Sequence, residues 1–297
     1  RGLELATEPA AAQPTGMADI ELVTESAAAQ LVTELAVCEG DADERLVEGG
    51  KTWIARRVHV RDAASIRVLV RDLAEDDYAL DSDFLDADYS LEASTGNQLW
   101  EGARELAREL AQGALAERLA AGAPVLELGA GTGLAGLSAA CLGGHVLLTD
   151  VRAIANGVLR RNVELNGGEV AAPEQWFGKA TAIGAGSAST LPLDWYLPTR
   201  EQLGELALPS GLVILAADCV WHVDLLPPFV ATACNLLRRS PGARAYVASW
   251  ERAKPGSKVF VPTADVRRRF EEAGCAVREL SEDLCYSCIE IELILKE

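Results

Sequence analysis

Apolar residues along this chain follow two rhythms, and the rhythm switches repeatedly from residue 52 onward. Between Thr52 and Arg71, Val58, Val60, Ile66, Val68 and Val70 alternate with polar neighbours around Asp62-Ala-Ala-Ser65, which predicts a two-stranded hairpin. Leu99, Trp100, Ala103, Leu106, Ala107 and Leu110 then recur at helical intervals, and Thr95-Gly-Asn-Gln98 ahead of them has the spacing of a capping box. Continuous apolar runs at 125–128, 145–150 and 212–217 are short enough for buried strands. Helical patterns separate and follow them at 134–142, 152–166 and 225–239, with Asn162 and Asn166 expected to close the second of these. A strand at 245–250, a helix at 264–273 and two closing strands near 276–280 and 285–296 end the series. The stretch 167–211, dominated by Gly, Ala, Ser and Pro, is the least legible, with one strand expected near 176–183. Strands alternating with helices and ending in a strand pair predict a doubly wound α/β sheet whose last strand is antiparallel, with the hairpin as an N-terminal appendage. The expected division is a tail at 1–50, the hairpin and an acidic loop at 51–92, and the main domain at 93–297.

The run at 125–128 moves the question from fold to chemistry. Val125-Leu-Glu-Leu128 leads into Gly129-Ala-Gly-Thr-Gly133, and helical composition begins at Leu134, so this is a strand, a tight turn and a helix N-terminus. The turn glycines let a ligand approach backbone amides, and the helix start offers unpaired N–H groups and a positive dipole end to an anionic or polar group. Gly131-Thr-Gly-Leu-Ala-Gly136 also satisfies the G-x-G-x-x-G of dinucleotide folds, so the loop alone leaves two cofactor classes open. Asp150 ends the next strand, where an acid accepts hydrogen bonds from ribose hydroxyls; this supports adenosine without separating the classes.

Composition narrows the partners. Across 297 residues, 45 acidic side chains against 27 basic ones give a net charge of −18, which argues against a surface that tracks nucleic-acid phosphates or an anionic membrane. Residues 1–50 hold two arginines against eleven acids and no aromatic residue, the composition of a solvated or loosely helical tail. The single methionine is Met17, so residues 1–16 are expected to be an upstream piece of a longer precursor or of a fragmentary gene reading. The acidic N-terminal stretch lacks the features of a transit or signal peptide, and no apolar run approaches the roughly 18 residues of a membrane span. Seven cysteines without framework spacing read as reduced thiols, and Cys285-Tyr-Ser-Cys288 lacks the second pair that a zinc site requires. These features predict a cytoplasmic protein, with the nucleus as the alternative compartment, and a monomer.

Glu127 tilts the choice of cofactor. An acid two residues before the first glycine of a G-x-G-x-G loop resembles motif I of class I S-adenosylmethionine (SAM) methyltransferases. The other motifs narrow the likeness: "TGNQLWEGARELAREL", "VLELGAGTGLAG", "LLTD", "LDW" and "AADCVW" occur in the order found in seven-β-strand protein-lysine methyltransferases, methyltransferase family 16. "LRRNVELNG" is similar to that family's Asn-rich helix end, and the resemblance covers roughly Gly96 to Lys296. It implies a seven-stranded Rossmann-like sheet, SAM as methyl donor, and a lysine of a protein substrate as acceptor. It also implies cofactor contacts at Trp100, Gly129, Ala130, Gly131, Asp150, Trp195 and Ala217.

Several roles stay open between chemistry and packing. Trp100 and Trp195 either bound the cofactor or pack in the core, and Glu127 either holds the cofactor's ammonium end or bonds turn amides. Asp218, at the end of its strand, is expected to orient the acceptor amine or take its proton through water. Trp221 stands where the family usually has Tyr or Phe and keeps a π-face for a lysine ammonium. His222 beside it is either a base or a packing residue. Two further readings stand beside the lysine one: a SAM-dependent enzyme acting on a small molecule or another side chain, and a methyltransferase-like binding module that uses its tail and hairpin to hold a partner.

Overall fold

The computed structural model describes residues 44–48, 51–62, 64–72, 95–167, 181–204, 208–282 and 286–294. The expected tail up to residue 43, the acidic loop after Asp72, Trp176 and Cys285 lie outside the described residues. The predicted hairpin is β2 (Lys51–Arg61) paired with β3 (Ala64–Arg71), turning at Asp62 with φ 53°. A third strand, β1 (Glu44–Glu48), pairs antiparallel with β2 in a segment expected as tail.

The main sheet is built from β4 (Pro124–Leu128), β5 (His145–Asp150), β6 (Thr181–Ile183), β7 (Gly186–Pro192), β8 (Val213–Ala217), β9 (Arg244–Trp250), β10 (Cys275–Glu282) and β11 (Tyr286–Leu293). Its order is β10-β11-β9-β8-β4-β5-β7-β6. Strands β9, β8, β4, β5 and β7 are parallel, while β11 runs antiparallel to both of its neighbours, as the closing strand pair predicts. The three-residue β6 adds an antiparallel eighth strand at the far edge. Strand β7 lies in the stretch that sequence left illegible.

Alternation along the central strands feeds two cores, one on each face of the sheet. Val125, Val146 and Leu148 pack with α1 (Glu101–Leu110), α2 (Gly113–Ala120) and α3 (Leu134–Cys141), whose Leu106, Leu119 and Leu137 are buried. Leu126, Leu128 and Ile214 pack on the other face, where α6 (Thr199–Leu203), α7 (Leu226–Arg239) and α8 (Thr263–Glu272) contribute Leu203, Phe229 and Phe270. Fully burying each large side chain contributes about 1.5 to 3 kcal/mol.

The connection after β5 is broken rather than continuous. It consists of α4 (Arg152–Ile154), a π-helical stretch Ala155–Leu159 and α5 (Arg160–Gly167), with the break at Gly157, whose φ/ψ of −98°/−113° is not helical. Asn166 closes this helix as expected, its Nδ2 donating to the Asn162 carbonyl at 2.7 Å, and both asparagine side chains also reach out of it. Asn162 Oδ1 accepts from the Leu69 amide at 2.7 Å while its Nδ2 donates to the carbonyls of Leu69 (3.1 Å) and Thr132 (2.8 Å). Asn166 makes the same amide-and-carbonyl pair with Arg67, at 2.7 and 2.6 Å. The two side chains thus act as a surrogate strand along β3, and Asn162 ties that sheet to the glycine loop.

The capping-box expectation also changes. Thr95–Gln98 form a turn closed by the Gln98 amide donating to the Thr95 carbonyl at 3.2 Å, and α1 begins only after Trp100, which has no side-chain cap. The Trp100 indole N–H instead donates to the Thr95 carbonyl at 2.9 Å.

Candidate active site

The C-terminal ends of β4, β5 and β8 meet at one edge of the sheet, the place where open α/β sheets bind ligands. There Thr95, Gly96, Trp100, Gly129, Gly131, Asp150, Val151, Leu193, Asp194, Trp195, Tyr196, Ala217, Asp218, Cys219, Trp221 and Leu225 line a cleft of about 810 Å³, counted with its open mouth. Eight residues singled out from sequence come together in it: Trp100, Gly129, Gly131, Asp150, Trp195, Ala217, Asp218 and Trp221. Ala130 and Glu127 stand behind the lining rather than in it. The Ala130 amide donates to the Thr149 carbonyl at 3.0 Å.

Asp150 is aimed by backbone. Its Oδ2 accepts from the Gly131 amide and its Oδ1 from the Val151 amide, both at 2.7 Å. The two amides fix the orientation of this carboxylate at the cleft. Gly131 has φ 55°, and a Cβ there would meet the Gly96 carbonyl oxygen at 3.3 Å, so the loop passes close beneath the turn that precedes α1. Trp195 presents its ring edge to Gly129 and packs on Phe229 with centroids 5.2 Å apart, giving one wall an aromatic face.

Glu127 is a structural acid. It is 1% exposed, and its Oε2 accepts from the Gly136 amide at 2.9 Å. A Cβ at Gly136 would stand 2.4 Å from that oxygen and 2.3 Å from Leu148 Cδ2, so the last glycine of the motif is needed for close packing of helix on strand. Burial is the main cause that pushes the Glu127 carboxyl up to about 8, against the Gly136 bond and assisted by the Asp150 charge. Because the folded value lies above the ordinary 4.5, this group's stabilising contribution is complete below pH 4.5 and is lost as pH rises toward 8. Glu127→Gln is therefore expected to match the wild-type melting temperature near pH 5 and to exceed it at pH 8. A melting difference that does not grow over that range contradicts a buried, protonated Glu127.

Asp218 has a different position from the one expected of a base. Its side chain is 0% exposed and its backbone sits at φ 52°. Oδ2 accepts from the Gly102 amide at 2.7 Å; Oδ1 accepts from the Trp250 amide at 2.8 Å and from Arg252 Nη1 at 2.9 Å. The carboxylate is spent on joining the start of α1 to the end of β9. These donors take three of its roughly four lone-pair sites. His222 caps a 3-10 turn, Val223–Leu225, accepting from the Asp224 amide through Nδ1 at 3.2 Å, and does not line the cleft. The Cys219 thiol does line it, and burial, followed by the nearby Asp150, Asp218 and Glu127 charges, holds it well above its ordinary pKa, so it stays neutral.

A second cavity of about 560 Å³, likewise counted with its open mouth, adjoins the cleft, lined by Thr95, Trp100, Asp218, Trp221, Arg252 and Phe260. The two cavities share Thr95, Trp100, Asp218 and Trp221 as a common wall. Arg252 and Phe260 complete this annex, and sequence reasoning missed both. The signal available for Arg252 was its place two residues past Trp250, just beyond the C-terminal end of β9. The Arg252 guanidinium lies over the Trp100 ring, 5.2 Å from its centroid. Among the described residues no cluster of His, Cys, Asp and Glu could hold a metal ion, and no helix is long and apolar enough to cross a membrane.

Residues 79–265 match the family model described as lysine methyltransferase. The chain belongs to the lysine methyltransferase family. The chain is 31% identical over 169 residues to mouse methyltransferase-like protein 22, covering 53% of this chain and 39% of that protein. To the human protein of the same name it is 28% identical over 169 residues, covering 53% and 38%. The chain thus spans about two fifths of the length of these curated relatives. A glycopeptide N-methyltransferase, MtfA, solved with sinefungin, is 13% identical over 67% of this chain and 89% of that one, with a TM-score of 0.41. At that score the doubly wound fold is read from the strand order itself.

Proposed function

We propose that this chain is a SAM-dependent protein-lysine N-methyltransferase acting on a lysine side chain of a protein substrate. The observation that carries this reading is the adjacency of the two cavities: a cleft with the elements of an adenosine site shares Thr95, Trp100, Asp218 and Trp221 with an annex beside it. When bound, SAM supplies an electrophilic methyl group. The residues of this chain do the rest by placement. Gly131 and Val151 amides hold Asp150 toward ribose hydroxyls, Trp195 gives an apolar face to the adenine, and Trp100 separates cofactor from acceptor.

In-line transfer to an amine depends chiefly on a short, aligned approach, so positioning carries much of the catalysis. The acceptor nitrogen uses its lone pair to form the new N–C bond while the C–S bond breaks, and the positive charge passes from sulfur to nitrogen. The amine must therefore arrive neutral, which for an ordinary lysine of pKa about 10.4 costs roughly 4 to 5 kcal/mol at pH 7. The Trp221 and Phe260 rings wall the annex along which the aliphatic stem would pass. We place the enzyme in the cytoplasm or nucleus, a setting supported by the free thiols of Cys141, Cys219, Cys234, Cys275 and Cys288. Calorimetry with SAM, S-adenosylhomocysteine and NAD tests the cofactor half of the reading. SAM and S-adenosylhomocysteine are expected to bind and NAD is not; preferential NAD binding sinks it.

A further inference from the structure

The annex raises a chemical problem that its lining also answers. An incoming lysine is an ammonium, yet the one carboxylate in the lining among the described residues, Asp218, is fully buried and already accepts from three donors. The Trp100 face is likewise occupied by a guanidinium. Arg252 is the lining's one cation among the described residues, and at 23% side-chain exposure it lies on the solvent side of the 0% exposed Asp218. Three groups face it: the Asp218 carboxylate, the Trp100 ring and the Trp250 carbonyl, which it reaches at 3.4 Å.

The charged groups of the neighbouring elements are committed elsewhere or add to its sign. On α1, Glu101 pairs with Arg104 and Glu105 with Arg108. Glu251 accepts from the Ala253 and Thr263 amides, and His222 lies 3.6 Å from Asp224. Lys254 and Lys258, on the same loop as Arg252 and Phe260, are exposed. Apart from the π-faces of Trp221 and Phe260, nothing among the described residues of this setting favours a second cation.

Resting on the lysine reading above, we propose that Arg252 is the residue that delivers the acceptor neutral. Held in place by Asp218 and Trp100, its fixed positive charge disfavours the ammonium form inside the annex, so the lysine gives its proton to bulk water on entry and presents a free lone pair. No side-chain base is then required, which fits an annex whose other lining residues are Thr95, three aromatic rings and an Asp218 already engaged by three donors.

The test uses the whole 297-residue chain and the lysate protein that it labels from tritiated SAM. Single-turnover rates at saturating enzyme, followed from pH 6 to 10, report the pKa of the bound amine. In the wild type this limb is expected at least one unit below the free-lysine value of about 10.4. Arg252→Gln keeps a donor for Asp218 but removes the charge, and is expected to move the limb up by about one unit; Arg252→Lys, which restores charge, should move it back. As a readout independent of turnover, binding of a peptide spanning the labelled lysine to the S-adenosylhomocysteine complex should tighten from pH 7 to 10 in the wild type, and less so in Arg252→Gln. A wild-type limb at the free-lysine value overturns the proposal even if Arg252→Gln fails to fold. A limb that Arg252→Gln leaves in place, with a lower rate throughout, makes Arg252 a brace only. If no lysine in the lysate is labelled, the lysine reading itself fails and this proposal with it.

Discussion

Asp218→Ala is expected to lower the melting temperature by about 6 to 20 °C. Removing one partner of a buried, hydrogen-bonded ion pair costs about 3 to 5 kcal/mol, and each kcal/mol corresponds to about 2 to 4 °C in a domain of this size. The substitution strands the Gly102 amide, the Trp250 amide and the Arg252 guanidinium at once. It also puts alanine at φ 52°, where it is strained. Asp218→Asn keeps an acceptor oxygen, suits the left-handed backbone and should fall in between. Gly102→Ala strikes the same joint from the other side, because its Cβ would stand 2.6 Å from the Asp218 carboxyl carbon. Turnover should fall with stability in all three. An Asp218→Ala protein that melts like the wild type but has lost turnover contradicts the brace and returns Asp218 to the role sequence alone suggests, acting on the acceptor.

Gly131→Val is expected to reduce SAM affinity by more than a hundredfold. Two effects combine: a β-branched side chain at φ 55°, and a Cβ pressed to 3.3 Å from the Gly96 carbonyl oxygen, both of which displace the loop. The displaced amide is the one that donates to Asp150 Oδ2, so the acid loses its aim along with the cradle. Gly113 provides the control, since it has the same φ of 55° with nothing within 4 Å of an added Cβ. Gly113→Val should lose stability through the same backbone strain and keep SAM affinity. Calorimetry on both variants separates the two cases, and unchanged affinity in a folded Gly131→Val protein would make the loop a purely structural turn.

The central strands were legible because β4, β5 and β8 are buried on both faces and read as apolar runs. Strand β7 was not, because Gly186-Ser-Ala-Ser-Thr-Leu-Pro192 is polar in composition yet buried through most of its length. Small hydroxyls make that tolerable, as where Ser187 Oγ lies 2.7 Å from His145 Nδ1. The site shows the same division. Gly131 and Asp150 were legible because their spacing follows from local strand–turn–helix geometry. The task of Asp218 was not, because its partners stand as far as 116 residues away, at Gly102, and meet only in the folded chain. For Asn166 the helix-ending bond to the Asn162 carbonyl was legible, being local, whereas the hold of Asn162 and Asn166 on Leu69 and Arg67, 93 and 99 residues distant, was not.

The most direct measurement of the central claim is incubation of the full chain with tritiated SAM and a cell lysate, followed by hydrolysis of the labelled protein and separation of its amino acids. Tritium is expected in methylated lysine, with labelling lost in Gly131→Val and retained in Gly113→Val. Tritium in a different amino acid or in a small molecule, or no labelling by a protein that binds SAM, would contradict lysine methyl transfer.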